Sequence, residues 1–227
     1  MIEFQDVCYA YETEPILRHV SFTIPEGAAV LLSGPNGCGK STLLRILNGL
    51  LFPQQGTYLF EGTAITAARM QDHRWSKAYH QRVGFVWQNP DVQLFCASVE
   101  AELAFGPQQM GLSEAAVKER VAEALDLFSL THLRNRAPYY LSGGEKKRAA
   151  FASIFTMNPE VWTMDEPLAA LDEKTQRWLI DFLAALKKAG KTLIFSSHEQ
   201  DLAQHLADRE IRLDEAHQGT LRINEPR

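Results

Sequence analysis

The spacing of apolar and polar residues divides the chain into short strands and longer helices. Residues 20–24 (VSFTI) alternate, as a strand covered on one face does. Pro25-Glu26-Gly27 follows as a turn. Residues 28–33 (AAVLLS) are apolar almost throughout, which predicts a strand buried on both faces. A glycine-rich stretch comes next, and residues 41–50 place apolar side chains at helical spacing. Residues 82–87 (RVGFVW), 161–164 and 192–196 (TLIFS) read as further strands. Between about Pro90 and Pro159 the character is mostly helical, with helices over residues 100–105 and 113–128. In the second, Val117, Val121, Leu125 and Phe128 form one apolar stripe, and Ser113 is a simple N-cap. Phe4, Phe22, Phe85, Phe151 and Phe155 are core candidates. The pattern predicts an α/β core interrupted by a helical insertion, without internal repeats.

Composition narrows the partners. The 227 residues suit one domain with room for an inserted subdomain, and 45% hydrophobic against 22% charged residues excludes a disordered chain. With 23 Lys and Arg against 28 Asp and Glu, the net charge of −5 argues against a nucleic-acid partner. The local cluster of Arg69, Arg74, Lys77 and Arg82, with His73, Trp75 and His80 between them, reads as solvated surface. Cys8, Cys38 and Cys96 show neither zinc nor disulfide spacing, which fits a reducing compartment. His198 and His205 lie seven apart, and nothing completes a metal set around them. The first residues do not read as a signal peptide, and no apolar run approaches 18 residues. A membrane role would run through a partner.

The glycine-rich stretch carries the chemistry. Gly34-Pro35-Asn36-Gly37-Cys38-Gly39-Lys40-Ser41, continued by Thr42, fits GxxxxGK[ST] between a buried strand and a helix. A triphosphate needs backbone N–H groups close by, and glycines permit that approach. The helix N-terminus adds positive charge, Lys40 reaches the β- and γ-phosphates, and Ser41 ligates Mg²⁺. Cys38 within the loop reads as a tolerated small side chain in preference to a redox sensor. A second strand ends in Asp165 and Glu166, acids that would face the ligand crevice of a parallel sheet. Asp165 would hold Mg²⁺ and Glu166 would polarise the attacking water. Residues 141–148 (LSGGEKKR) run two glycines into a basic helix, a second anion-binding helix start. One P-loop already serves one nucleotide, so a second grip suggests a nucleotide shared between two copies.

These motifs together resemble the ATP-binding cassette (ABC) ATPases, over nearly the whole chain and in the same order. The resemblance implies a P-loop core of the RecA-like type (residues 1–89 and 160–227) with an N-terminal antiparallel β subdomain, and an inserted α-helical signature subdomain (residues 90–159). It also implies head-to-tail dimerisation, with each ATP between residues 34–42 of one copy and Ser142, Gly143, Gly144 and Glu145 of the other. Tyr11 matches the aromatic residue that stacks on adenine, Gln88 the Q-loop glutamine near Mg²⁺, Asp172 the D-loop aspartate and His198 the switch histidine on the γ-phosphate. Glu166 matches the general base. Thr163 interrupts the usual apolar stretch before Asp165, and Ala169 replaces a common D-loop serine.

Residues 88–95 (QNPDVQLF), followed by residues 99–107 (VEAELAFGP), resemble the energy-coupling factor subgroup. That implies a peripheral ATPase at the cytoplasmic face of the cell membrane, powering import of a metal ion or vitamin. Its partners would be an integral subunit with coupling helices, a second identical or paralogous ATPase and, indirectly, a substrate-binding membrane subunit. Asp91 would pair with an arginine of the coupling helices, or cap a helix after Asn89-Pro90. Residues 207–227 resemble the last strands of the cassette and imply little of the extra C-terminal dimerisation segment that many relatives carry. A conventional ABC transporter subunit remains the alternative. A soluble cassette acting on DNA or ribosomes would bring a long coiled coil or a second cassette, and neither is visible.

Overall fold

The computed structural model describes residues 1–197, 200–214 and 219–223, the last five and residues 200 and 201 by backbone alone. Chain order begins with β1 (Ile2–Tyr11), β2 (Glu14–Ile24), β3 (Ala29–Ser33), α1 (Lys40–Leu47), β4 (Gln55–Phe60) and β5 (Thr63–Ala64). The short α2 (Ala67–Met70) and α3 (His73–Arg82) lead into β6 (Val83–Val86). Helices α4 (Val99–Gln109), α5 (Glu114–Leu127) and α6 (Gly143–Phe155) are inserted before β7 (Val161–Asp165). The chain continues through α7 (Glu173–Lys188), β8 (Thr192–Ser196), α8 (Gln200–Leu206), β9 (Arg209–Leu213) and β10 (Gly219–Ile223).

Two sheets result. An antiparallel sheet runs β2-β1-β4-β5, and a six-stranded sheet runs β10-β9-β3-β8-β7-β6, parallel except for its β9–β10 edge pair. The apolar run of β3 is explained by its place inside the parallel sheet. Ala29 and Leu31 join the core under the helical insertion, while Val30 and Leu32 join the core between this sheet, α1 and the antiparallel sheet. Period-two alternation thus fills two cores from one strand. Among the core candidates, Phe4, Phe22 and Phe151 are buried, and Phe85 and Phe155 pack on the cores half-buried.

Apart from Arg69, which lies in α2, the basic cluster before β6 forms α3, capped by Asp72, whose Oδ1 accepts from the N–H groups of Arg74 and Trp75. Trp75 stacks on Tyr79 with ring centroids 5.5 Å apart. Arg82 forks between Glu61 and Glu160, tying the β4–β5 turn to the start of β7. Arg69 likewise bonds within its own chain, donating to the Ala64 carbonyl at 3.1 Å.

Thr163, the polar residue in β7, is fully buried on the face that meets α1. Its hydroxyl donates to the Gly84 carbonyl at 2.9 Å and accepts from Asn48 Nδ2 at 2.7 Å. That bond ties the end of the P-loop helix to the strand that ends in Asp165. Thr163→Val keeps the volume and removes the acceptor, leaving a buried amide less satisfied. We expect a loss of about 1–3 kcal/mol in chemical denaturation; a variant as stable as the parent would contradict this role.

Candidate nucleotide-binding site

The carboxyl ends of β3, β6, β7 and β8 share one edge of the parallel sheet, where such sheets bind ligands. From β3 the chain enters the loop at residues 34–39. Gly34 has φ 136°, and a Cβ there would stand 2.2 Å from the Leu213 carbonyl oxygen. Gly39 has φ 105°, and its Cβ would stand 2.8 Å from the Ile16 carbonyl oxygen. Both positions exclude a side chain on geometry and on space. Gly39 is also the N-cap of α1, which therefore begins with no side-chain cap and no acid in its first turn. Helices α2 to α7 each start on a capping side chain: Thr66, Asp72, Ser98, Ser113, Ser142 and Asp172. At α1 the first-turn amides are left for an outside acceptor, and an anion is the natural one.

Beside this helix start lies a cleft of about 520 Å³. It is lined by Asn36, Gly37 and Gly39 of the loop, by Lys40, Ser41 and Thr42 of α1, and by Gln88, Asp165 and Glu166, with Ile16 and Ala169. Lys40 Nζ donates to the carbonyls of Gly34 at 2.8 Å and Pro35 at 3.0 Å, so the ammonium lies along the loop. Ser196, at the end of β8, holds the two acids: its hydroxyl donates to Asp165 Oδ1 at 2.7 Å and accepts from the Glu166 N–H at 2.9 Å. Glu166 has φ 46°, a left-handed backbone uncommon for a non-glycine residue, which the Ser196 bond helps to hold.

Other expected residues stand apart from this cleft. Tyr11 ends β1 and its hydroxyl accepts from Arg45 at 3.2 Å, outside the cleft lining. Cys38 is buried; burial raises its thiol pKa against the lowering pull of Lys40. Asp172 serves as the cap of α7, accepting from the Thr175 N–H at 2.9 Å and its hydroxyl at 2.8 Å. The Thr175 N–H holds the Asp172 carboxyl below the ordinary range. None of Ser142, Gly143, Gly144 or Glu145 lines the cleft of its own chain. They start α6 with a reciprocal capping box, Glu145 accepting from the Ser142 N–H at 2.7 Å and Ser142 from the Glu145 N–H at 3.4 Å. His198 lies outside the described residues.

Asp91 corrects one expectation. The cap after β6 is Asn89, whose side chain accepts from the Asp91 N–H at 2.9 Å. The Asp91 carboxylate instead takes Lys146 Nζ of α6 at 2.6 Å. Lys147, one residue on, is 3% exposed and donates to the carbonyls of Trp87 at 3.3 Å and Gln88 at 3.1 Å. Burial pushes its pKa down to about 8, opposed by the nearby charges of Asp165 and Glu166. Sequence reasoning missed Ile16, Lys147 and Ser196. Ile16 and Lys147 carry no local signal, whereas Ser196 at the end of a strand beside a motif histidine could have been singled out.

A bare helix start after a glycine loop, facing an acid pair across a parallel sheet that carries a helical insertion, defines a P-loop nucleotide-binding protein. The family model described as ABC transporter matches residues 17–169, and the chain belongs to that family, whose cassettes bind and hydrolyse ATP. It is 45% identical to the nickel import ATP-binding protein LarO of Lactiplantibacillus plantarum, over 96% of this chain and 90% of that protein. It is 44% identical to the energy-coupling factor transporter ATP-binding protein EcfA1 of Methanospirillum hungatei, over 92% of this chain and 74% of that one. Among solved structures it matches the dimeric post-hydrolysis state of the cassette MJ0796 bound to ADP and Pi, with TM-score 0.85, 28% identity and all of both chains covered. No helix among the described residues is long and apolar enough to cross a membrane.

Proposed function

We propose that this chain is the ATP-hydrolysing subunit of an energy-coupling factor importer for a metal ion or vitamin, held at the cytoplasmic face of the cell membrane by an integral subunit with coupling helices. The similarity to LarO and EcfA1 supports the subgroup, as does the segment Gln88-Asn89-Pro90-Asp91. The observation that carries the catalytic reading is the composition of the cleft. One chain supplies phosphate loop, metal donors and base together, while its own signature residues lie outside. A second copy or a paralogue, head to tail, would bring its Ser142, Gly143, Gly144 and Glu145 to the open side.

The residues then divide the work. The amides of residues 34–42 and the Lys40 ammonium neutralise the phosphates with groups already in place. Tyr11 stacks on the adenine, and Asp172 contacts the second copy. The Ser41 hydroxyl, the Gln88 amide oxygen and the Asp165 carboxylate are the hard oxygen donors that suit Mg²⁺, and all three line the one cleft. When bound, Mg²⁺ supplies charge neutralisation on the β- and γ-phosphate oxygens. Glu166 takes a proton from the attacking water, whose oxygen bonds the γ-phosphorus as the β–γ bridging bond breaks, releasing ADP and phosphate. His198 steadies the γ-phosphate. Asp91, half-screened by Lys146, is the carboxylate offered to an arginine of the membrane subunit.

Purification from native membranes in mild detergent should recover a small integral subunit with basic coupling helices and a substrate-binding membrane protein. Recovery of a conventional permease would overturn the subgroup. The variant Glu166→Gln should bind ATP, accumulate as a dimer in size-exclusion chromatography and lose about 100-fold or more in turnover. Near-normal turnover would sink the general-base role. Asp91→Arg should weaken recovery of the integral subunit and spare ATP binding, and unchanged recovery rejects the ion pair.

A further inference from the structure

The segment leaving β6 is fastened to the signature helix by three side chains. Lys146 of α6 holds Asp91 at 2.6 Å. Gln93 accepts from the Trp87 N–H at 3.2 Å and donates to the Ala150 carbonyl at 2.8 Å. Between them Lys147 places its ammonium on the Trp87 and Gln88 carbonyls. β6 is the edge of the parallel sheet, so among the described residues these two carbonyls, beyond its last residue, have no neighbouring strand on that side. A lysine is an expensive way to fill a buried position, because an apolar side chain of the same length would avoid desolvating a charge. What the ammonium adds is a directed grip on the backbone of the residue whose side chain lines the cleft.

We propose that Lys147 is a positioning residue. It pins the Gln88 backbone to α6, so that the Gln88 side chain is set in its cleft by the position of that helix. This rests on the assignment above of Gln88 to the metal.

The test combines Lys147→Met, Lys147→Arg, Gln88→Ala and the double variant Lys147→Met/Gln88→Ala in the full chain. Lys147→Met should lower kcat about 10-fold and weaken Mn²⁺ binding about 10-fold, read by electron paramagnetic resonance with a non-hydrolysable ATP analogue. Analogue affinity should stay within about 2-fold, because the loop at residues 34–42 is untouched. Lys147→Arg should recover most of the loss, since a guanidinium can reach the same carbonyls. In the Gln88→Ala background, Lys147→Met should cost nothing more. Unchanged Mn²⁺ binding in Lys147→Met, or a full further loss in the double variant, overturns the proposal. Normal metal binding and turnover in Gln88→Ala alone would instead overturn the assignment of Gln88. Should Lys147→Met fail to fold, Lys147→Gln carries the same test: its shorter amide reaches at most one carbonyl, and unchanged Mn²⁺ binding again overturns the proposal.

Discussion

Helix α1 starts without a capping side chain, and the site is built around that open helix start. The helix starts on Gly39 at positive φ, where neither Ser nor Asp could sit without meeting the Ile16 carbonyl. Six other helices close their N-termini with a hydroxyl or carboxylate. Leaving these amides uncapped costs about 1 kcal/mol in the free protein and creates affinity for a phosphate that brings its own oxygens. What holds α1 in place serves this end: Leu43, Leu44, Ile46 and Leu47 share a core with Val30 and Leu32 of β3, and Asn48 bonds Thr163 of β7.

Opposite that helix start the sheet delivers two acids at fixed positions. Asp165 and Ser196 are paired across β7 and β8, so the hydroxyl of one strand orients the carboxylate of the next. The same hydroxyl holds the Glu166 amide in a strained backbone that turns the chain sharply after the strand. The cleft is rigid on this side because its functional groups sit at the ends of buried strands. Gln88, on another side of the cleft, hangs on α6 through Lys147, and Asp91 just beyond it through Lys146. A movement of α6 would therefore reach Gln88 and Asp91 together.

Much of this was legible in the residues. The continuous apolar run of β3, the glycine loop and the acid pair after β7 each carry a local rule that the fold obeys. β2 was legible only over residues 20–24, because its pairing with β1 contains register shifts that break the alternation, with Asp6 and His19 at positive φ. Helix α4 continues to Gln109 although Pro107 suggests an earlier end; Pro107 is buried, and Gly106 beside it packs closely on Met157, just past α6. Only the cap reading of Asp91 fails, because Asn89 two residues earlier is an equally good cap and claims the turn. Lys147 could not be found from sequence at all: within a basic run, nothing distinguishes the lysine that faces the core from the one that faces solvent.

The central claim is that the cleft is half a site, completed by the signature residues of a second copy. Steady-state ATPase activity measured across a wide range of protein concentration tests it most directly. The account predicts that specific activity falls as the protein is diluted and the dependence of rate on concentration becomes second order. A specific activity that stays constant on dilution, with the protein monomeric throughout, would contradict it.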